Sequence, residues 1–538
     1  MMKKTISLLL ILCMLVSFTA FPAAAQDTEN SDTGAVDYGL GETIQDGNIL
    51  HCFCWTLNQI KEALPNLAAA GFTSVQTSPL QAHNGRNQWY WLYQPNGFST
   101  IGNEIGSYSD LQALCTEADK YGIKIIVDVV ANHVAGGNGN PANSVESILK
   151  KNEYYHKLGS ISNYSNRYEV TQKDLGMPDL NSEHQDIQDM AADMITRLKD
   201  AGVDGIRWDA AKHIALPSEG CDFWTEMADI DIFQYGEILG KPAGDSADSV
   251  NDPLMKEYAD LISVTDTEYS SALMRSLMNG TTYKTAGYWN RKGISADKLI
   301  YWGESHDTYS NSGSEGWTKN FDQNDIDRVY ALVGARAGSQ ALYFSRPSEK
   351  NKESIYYAKK GSTHFMSNEV AAVNRFHNAM NGTADKFSYS GGCYVVWREG
   401  GAVIVSSGDG DIDVEVNNSS SMVPVGTYVD EVSGSTFTVT DKKISGHIGD
   451  TGIAVIYGEI STGEEYIVGD ADGDGEVSIL DATWIQRVLI GIGAPADFNE
   501  AAADVDGDGE MTIIDATYIQ RYLVGIDVPY AIGETVSG

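Results

Sequence analysis

Between residues 48 and 385, short apolar runs alternate with stretches whose apolar positions recur every three to four residues. Short apolar runs bounded by turn formers predict buried strands, and the 3.6-residue period between them predicts amphipathic helices. Strands are expected at 49–53, 74–77, 123–130, 203–208, 231–235, 262–265, 299–302 and 341–344, with helices such as 59–70 and 369–380 between and after them. That alternation is the sign of βα units around a parallel sheet. From residue 387 to 457 the texture changes to short runs such as 393–397 and 402–406, separated by Gly, Asp, Asn and Ser turns. These predict a separate antiparallel β domain.

The polar residues that matter stand where the strands end. Arg207 and Asp209 are two positions apart, so both side chains fall on one strand face. A buried carboxylate beside a permanent guanidinium charge is expected to stay ionised with a lowered pKa, as a nucleophile requires. A structural salt bridge at a strand end is the other reading of the pair. Three further strand ends carry similar groups: Asp128, Asn132 and His133; Gly236 and Glu237; Glu304, Ser305, His306 and Asp307. An α/β barrel builds its active site at that end of its strands. The run Trp89, Tyr90, Trp91 and Tyr93, followed by Gln94, offers aromatic faces for sugar rings and an amide for directional hydrogen bonds. A core cluster is the alternative. Residues 134–177, rich in Asn, Ser, Tyr and Gly, form an excursion from the barrel. Asn132 and Asp179 at its two ends could share a hard cation such as Ca²⁺.

Length and charge narrow the possibilities. A chain of 538 residues implies several domains. Lys3 and Lys4, an apolar run over 6–20 and Ala23-Ala24-Ala25 predict a secretory signal over 1–25, cleaved before Gln26, and a linker over 26–47. No later run is long and apolar enough to span a bilayer, so the mature protein is expected to be exported and soluble. A net charge of −37 repels nucleic acid and anionic membranes, which excludes both as partners. Cys52, Cys54, Cys115, Cys221 and Cys393 have neither metal-ligand spacing nor a disulfide framework and are expected to be buried thiols.

The last segment repeats itself. The acidic loop from Asp470 to Asp481 recurs 34 residues later from Asp504 to Asp515. Asp470, Asp472, Asp474 and Asp481 occupy loop positions 1, 3, 5 and 12, as do Asp504, Asp506, Asp508 and Asp515, with Gly at position 6 and Glu476 or Glu510 at position 7. That is the oxygen-ligand pattern of a Ca²⁺ loop, with Asp in place of the usual Glu at position 12. A nearly duplicated helix follows each loop, whereas the stretch before each loop shows no helical pattern.

These residues resemble two families. Asp128-Val-Val-Ala-Asn-His133, Gly205-Ile-Arg-Trp-Asp-Ala-Ala-Lys-His213, Gly236-Glu237 and Glu304-Ser-His-Asp307 are similar, in order, to the four motifs of the α-amylase family, glycoside hydrolase family 13. The run from Trp89 to Pro95, Phe233 to Leu239 and Val373 to His377 resemble its bacterial saccharifying members. The resemblance implies an α/β fold: a (β/α)8 TIM barrel over 48–385, an inserted B domain over 134–181, and a C-terminal antiparallel β-sandwich over 386–459. It implies a secreted, retaining enzyme that cuts α-1,4 bonds within starch and maltooligosaccharides. Asp209 matches the nucleophile, Glu237 the general acid/base, and Asp307 the carboxylate that stabilises the transition state. Trp89, Tyr90, Tyr93, Gln94, His133, Arg207, Lys212, His213 and His306 are the expected substrate-binding residues. Asn132, Asp179 and the backbone carbonyl of His213 match a Ca²⁺ site. Cys52 and Cys54 depart from the family pattern at the end of the first strand. A related transglycosylase or debranching enzyme, or a non-catalytic glucan-binding subunit, are the rival readings.

The C-terminal repeat, over 466–529, resembles a dockerin. That implies two further Ca²⁺ ions, a cohesin partner on a scaffold protein, and an extracellular or cell-surface location. Loop positions 10 and 11, which contact cohesin in that family, are the apolar pairs Ile479-Leu480 and Ile513-Ile514.

Overall fold

Eight strands close into a parallel barrel: β1 (Ile49–His51), β2 (Ser74–Gln76), β3 (Lys124–Val130), β4 (Gly205–Asp209), β5 (Phe233–Gly236), β6 (Ser263–Thr265), β7 (Leu299–Trp302) and β8 (Gln340–Phe344). Ile49 is in register with both Ser74 and Leu342, so β1 pairs with β2 on one side and β8 on the other and completes the ring. This computed structural model describes residues 38–137, 139–239, 253–278, 293–418, 421–458, 465–495, 498–507 and 511–537. The signal expected over 1–25, residues 26–37 of the linker, and Asp508 and Glu510 lie outside the described residues.

Among the described residues, the helices around the barrel are α1 (Leu57–Ala69), α2 (Tyr108–Asp119), α3 (Gln185–Asp200), α4 (Phe223–Ala228), α5 (Pro253–Leu261), α6 (Thr267–Met278), α7 (Gln323–Gly334) and α8 (Asn368–Ala379). Their starts are written in the sequence. Thr56 accepts from the Gln59 backbone N–H while the Gln59 side chain accepts from Thr56, and Ser107 and Asp110 do the same for α2. Each such cap is worth about 1 kcal/mol. Covered by helices outside and side chains inside, β4, β7 and β8 are buried along their whole length. Two strands start two residues later than the apolar pattern suggested, at Gly205 and Phe233, and β4 ends one residue later, at Asp209.

Between β3 and α3 the chain makes its excursion, with a two-residue strand pair and a short helix, Arg167–Gln172. Arg167 pins this segment to the barrel: its guanidinium donates to Glu219 at 2.8 and 2.7 Å and to the Tyr258 hydroxyl at 2.8 Å.

The β domain is a sandwich. β9 (Asp385–Ser390), β10 (Cys393–Arg398), β11 (Gly401–Ser406) and β16 (Ile453–Ile456) form one antiparallel sheet. β12 (Ile412–Asn417), β13 (Gly426–Val429), β14 (Thr436–Val439) and β15 (Lys443–Ile448) form the other. Alternation along β10 and β11 divides them between two cores. Tyr394, Val396, Val403 and Val405 join the barrel core, whereas Cys393, Val395, Trp397, Ala402 and Ile404 face the second sheet. That second sheet has water on its far side, and β14 accordingly alternates exposed and buried.

The C-terminal module packs α9 (Ile479–Leu489) and α10 (Ile513–Leu523) around Ala482, Ile485, Ala516 and Ile519. Its ends meet as an antiparallel pair, β17 (Glu465–Ile467) with β18 (Thr535–Ser537). One helical turn, Glu500–Ala503, precedes the second loop, where the sequence showed no helical pattern. Four residues are too few for a period to register. Among the described residues no helix is long and apolar enough to cross a membrane, and Cys52, Cys54, Cys115, Cys221 and Cys393 are buried and unbridged.

Candidate active site

Every expected catalytic residue sits at the carboxyl end of a barrel strand. Asp209 ends β4, Glu237 follows β5, and Asp307 lies in the first turn of a short helix, His306–Ser310, after β7. Gly236 is required here, because a Cβ on it would meet the Ala211 Cβ at 2.8 Å and push back the turn that follows Asp209. Ala210, in that turn, takes a left-handed φ of 52°. Such strain in a non-glycine residue persists only where its surroundings impose it. Its N–H donates to Glu237 Oε2 at 3.1 Å and so ties the two strand ends together.

Arg207 is the hub. Its Nη1 donates to Asp128 at 2.7 and 2.9 Å and to Asp209 Oδ1 at 2.9 Å, while Nη2 donates to Glu237 Oε1. Asp307 also faces this guanidinium. Three carboxylates thus bond one cation with a fourth in its field, and the arithmetic of charge departs from the sequence expectation. Burial pushes Asp209 well above the ordinary carboxylate range; Arg207 pulls it down, but Glu237, Asp128 and Asp307 push it up again. The lowered pKa inferred from the Arg207–Asp209 pair alone is not found, because burial outweighs the pull of Arg207 and three further acids add to it. Burial likewise raises Asp128 to about 6, against the pull of Arg207.

Aromatic and imidazole groups wall the cleft. The Tyr93 hydroxyl donates to Asp128 Oδ2 at 3.1 Å, and His133 Nε2 donates to the Tyr93 carbonyl at 3.0 Å. Burial lowers His133 to about 4, His306 to about 3 and His213 to about 3. All three are neutral near pH 7, each with one donor and one acceptor nitrogen, and His133 uses its donor on the Tyr93 carbonyl. The cleft holds about 700 Å³ and is also lined by Trp89, Tyr90, Gln94, Tyr164, Lys212 and Leu239. Tyr90 donates to Glu353 at 2.8 Å, and Lys212 Nζ reaches the Leu239 carbonyl at 2.7 Å. Every substrate-binding candidate except Arg207 and His306 is a lining residue, and those two stand directly behind it.

The cation candidates fall in two places. Asn132 and Asp179 come together at the base of the inserted segment, both buried. His213 is turned so that its Nδ1 meets the Val170 carbonyl at 2.8 Å. Asp179 Oδ2 bonds His156 Nδ1 at 2.8 Å, and His156 Nε2 meets Glu183 at 2.9 Å. Asp179 Oδ1 is buried without a hydrogen-bond partner, and burial raises the group to about 7. A buried carboxylate oxygen without a partner fits a hard cation. His156 and Glu183 lie in the loop-rich stretch and carried no sequence signal.

In the C-terminal module, ligand atoms of Asp470, Asp472 and Asp481 lie within 4.8 Å of one another, as do those of Asp504, Asp506 and Asp515. Asp481 accepts from the backbone N–H of Asp472 at 3.0 Å and of Ser478 at 2.7 Å, and Asp515 accepts from Val505 at 2.9 Å and Thr512 at 2.7 Å. Asp472 Oδ1 is buried without a partner, among acids that push its pKa up after burial has done so. These clusters fit Ca²⁺. Asp474 and Glu476 are exposed and outside the first cluster.

Residues 20–301 match the α-amylase catalytic domain, and residues 468–524 match the type I dockerin domain. The chain belongs to the α-amylase family of glycoside hydrolases and carries a C-terminal type I dockerin. It is 31% identical over 488 residues to the α-amylase of Clostridium acetobutylicum, covering 86% of this chain and 60% of that one. It is 29% identical over 493 residues to the α-amylase of Butyrivibrio fibrisolvens, covering 82% and 49%. The chain thus spans less than two thirds of the length of either relative. In fold it is similar to α-amylase I of Eisenia fetida in complex with maltohexaose, at TM-score 0.63 and 19% identity over 78% of this chain and 98% of that one. The α-amylase of Geobacillus thermoleovorans, complexed with acarbose, has TM-score 0.59 and 16% identity over 77% and 98%.

Proposed function

We propose that this protein is an exported α-amylase that hydrolyses α-1,4 bonds within starch and maltooligosaccharides with retention, and that its dockerin docks it to a cohesin-bearing scaffold. The observation that carries the reading is the guanidinium shared by Asp209 and Glu237. It holds the two carboxyls on one side of a sugar-sized cleft, and a retaining glycosidase needs them about 5 Å apart.

In this mechanism Glu237 gives its proton to the glycosidic oxygen as Asp209 attacks the anomeric carbon, and the C–O bond to the leaving chain breaks. Glu237, now ionised, takes a proton from water, whose oxygen displaces Asp209 and returns the configuration. Asp307 stabilises the positive charge that develops on the sugar. Tyr93 stacks on the ring, His133 and His306 bond its hydroxyls, and Lys212 and His213 receive the leaving chain.

Asn132, Asp179 and the His213 carbonyl would hold one Ca²⁺, and the two acidic loops, including Asp474, Asp508 and position 7 (Glu476 or Glu510), two more. Calcium supplies charge neutralisation there and no chemistry on the substrate. Residues 1–25 act as the export signal, 26–47 as a linker, 48–385 as the barrel with its inserted domain at 134–181, 386–459 as the sandwich and 466–529 as the dockerin. The exposed pairs Ile479-Leu480 and Ile513-Ile514 offer apolar ground to cohesin.

The test is reducing-sugar release from soluble starch in calcium by the parent and by Glu237→Gln, with products resolved by chain length. Short α-1,4 oligosaccharides from the parent alone support the reading. Products longer than the substrate, or cleavage confined to α-1,6 bonds, point to a transferase or debranching enzyme. No release from either protein leaves a glucan-binding subunit.

A further inference from the structure

Lys352 lies on the loop after β8, half-buried at the rim of the cleft. Its ammonium donates to Asn311 Oδ1 at 2.9 Å and sits 5.8 and 5.5 Å from the ring centroids of Trp89 and Tyr90. Asn311 caps the C-terminus of the short helix that carries Asp307, and its Nδ2 donates to Asp307 Oδ1 at 2.8 Å. Its backbone carbonyl accepts from Lys319. The proposed mechanism assigns no part to Lys352, Asn311 or Lys319.

The direction of this chain follows from which atoms can donate. A carboxamide has an oxygen that accepts and a nitrogen that donates, and the two can exchange places by a flip. An ammonium only donates, so Lys352 selects the amide oxygen. The nitrogen is left facing Asp307, and an ionised carboxylate only accepts. We propose that Lys352 and Asn311 are positioning residues for Asp307: the lysine fixes the amide, and the amide fixes the carboxylate. This rests on the reading of Asp307 as the carboxylate that stabilises the transition state.

The groups around Asp307 set the sign of the effect. It faces Arg207 on β4, Glu237 after β5, Glu315 on the following loop, and His306, whose Nε2 is 3.5 Å from Oδ2; Asp209 and Tyr93 also feel its charge. Burial raises Asp307, Arg207 and a hydrogen bond with Glu237 pull it down, Glu315 raises it, and Asn311 pulls it down. Loss of the amide therefore moves Asp307 upward, and the acid limb of the pH–rate profile moves with it.

The experiment measures kcat and KM across pH for the full chain, in calcium, on a maltooligosaccharide of one length. The variants are Asn311→Leu, Lys352→Met, the two combined, Lys352→Arg and Asp307→Asn. Asn311→Leu is expected to raise the acid limb by about one pH unit, the worth of one hydrogen bond to a charged group. Lys352→Met moves it the same way by less, Lys352→Arg restores it, and the double variant goes no further than Asn311→Leu. An acid limb unmoved in both single variants, or a Lys352→Met effect confined to KM, overturns the proposal. Activity retained by Asp307→Asn refutes the role of Asp307 itself. An inactive Asp307→Asn beside unchanged profiles in the other variants refutes only the relay. Melting temperatures identify any variant that fails to fold, and Lys352→Met, on a half-buried loop, tests the relay even if Asn311→Leu does not fold.

Discussion

The rings of Tyr93 and His306 lie face to face, with centroids 5.1 Å apart and planes 10° from parallel. Tyr93 comes from the loop after β2 and His306 from the end of β7. The stack therefore braces the barrel mouth across β1 and β8, and the tyrosine hydroxyl adds its bond to Asp128. Tyr93→Ala should lower kcat/KM by roughly 10- to 100-fold through lost stacking and orientation. Tyr93→Phe keeps the stack and should cost less than about tenfold. Steady-state kinetics on one maltooligosaccharide decides it, and an unaffected Tyr93→Ala removes this residue from the substrate wall.

Arg207 is the guanidinium that Asp128, Asp209 and Glu237 share. Arg207→Met should abolish activity and destabilise the fold by about 3–5 kcal/mol, the cost of leaving buried charges unpaired. Denaturant unfolding followed by tryptophan fluorescence measures it. A variant as stable as the parent would show that protons, and not the guanidinium, hold the cluster together.

A second buried acid cluster stabilises the fold in a pH-dependent way. His364 Nε2 bridges Asp327 at 2.7 Å and Glu369 at 3.3 Å between α7 and α8. Hydrogen bonds to Asp327 and Glu369 raise its pKa from the usual 6.5 to about 10. A folded-state pKa above the unfolded one means that the stabilisation is complete below about 6.5 and is lost as pH climbs through about 10. The melting temperature of the parent should therefore exceed that of His364→Gln at pH 6, and the gap should close by pH 10 or so. A gap constant with pH would show that packing, and not charge, is what His364 contributes.

Chelation should separate the two ends of the chain. EDTA should make residues 465–537 sensitive to limited proteolysis and abolish binding to a cohesin. Asp481→Asn should remove one of the calcium equivalents seen by titration calorimetry, because Asp481 closes the first loop from a fully buried position. Cohesin binding undiminished in EDTA rejects the calcium reading of both loops.

Much of this architecture was legible along the chain. Strand and helix periods differ, so the alternation announced a parallel barrel, and the doubled acidic loop announced the C-terminal module. The strand-end motifs marked Asp209, Glu237 and Asp307 because a strand's last residues must point into the mouth of the barrel. His156 and Glu183 were not legible, since loop segments have no period and their partners depend on how the excursion folds back. Lys352 was invisible for the same reason: nothing in its neighbours marks it as an amide's donor.

What the sequence determined by itself was identity and order: which groups end which strands, and which residues repeat. Only the tertiary structure decided their electrostatics. Arg207 and Asp209 are two residues apart, and their pairing could be read directly. Asp128, 79 residues away, and Glu237, 30 residues away, reach the same guanidinium only when the barrel closes. A pKa is the sum of burial and every nearby charge, so one pair read along a strand gave the wrong direction for Asp209. The closed barrel, which brings all four acids to one cation, supplied the rest.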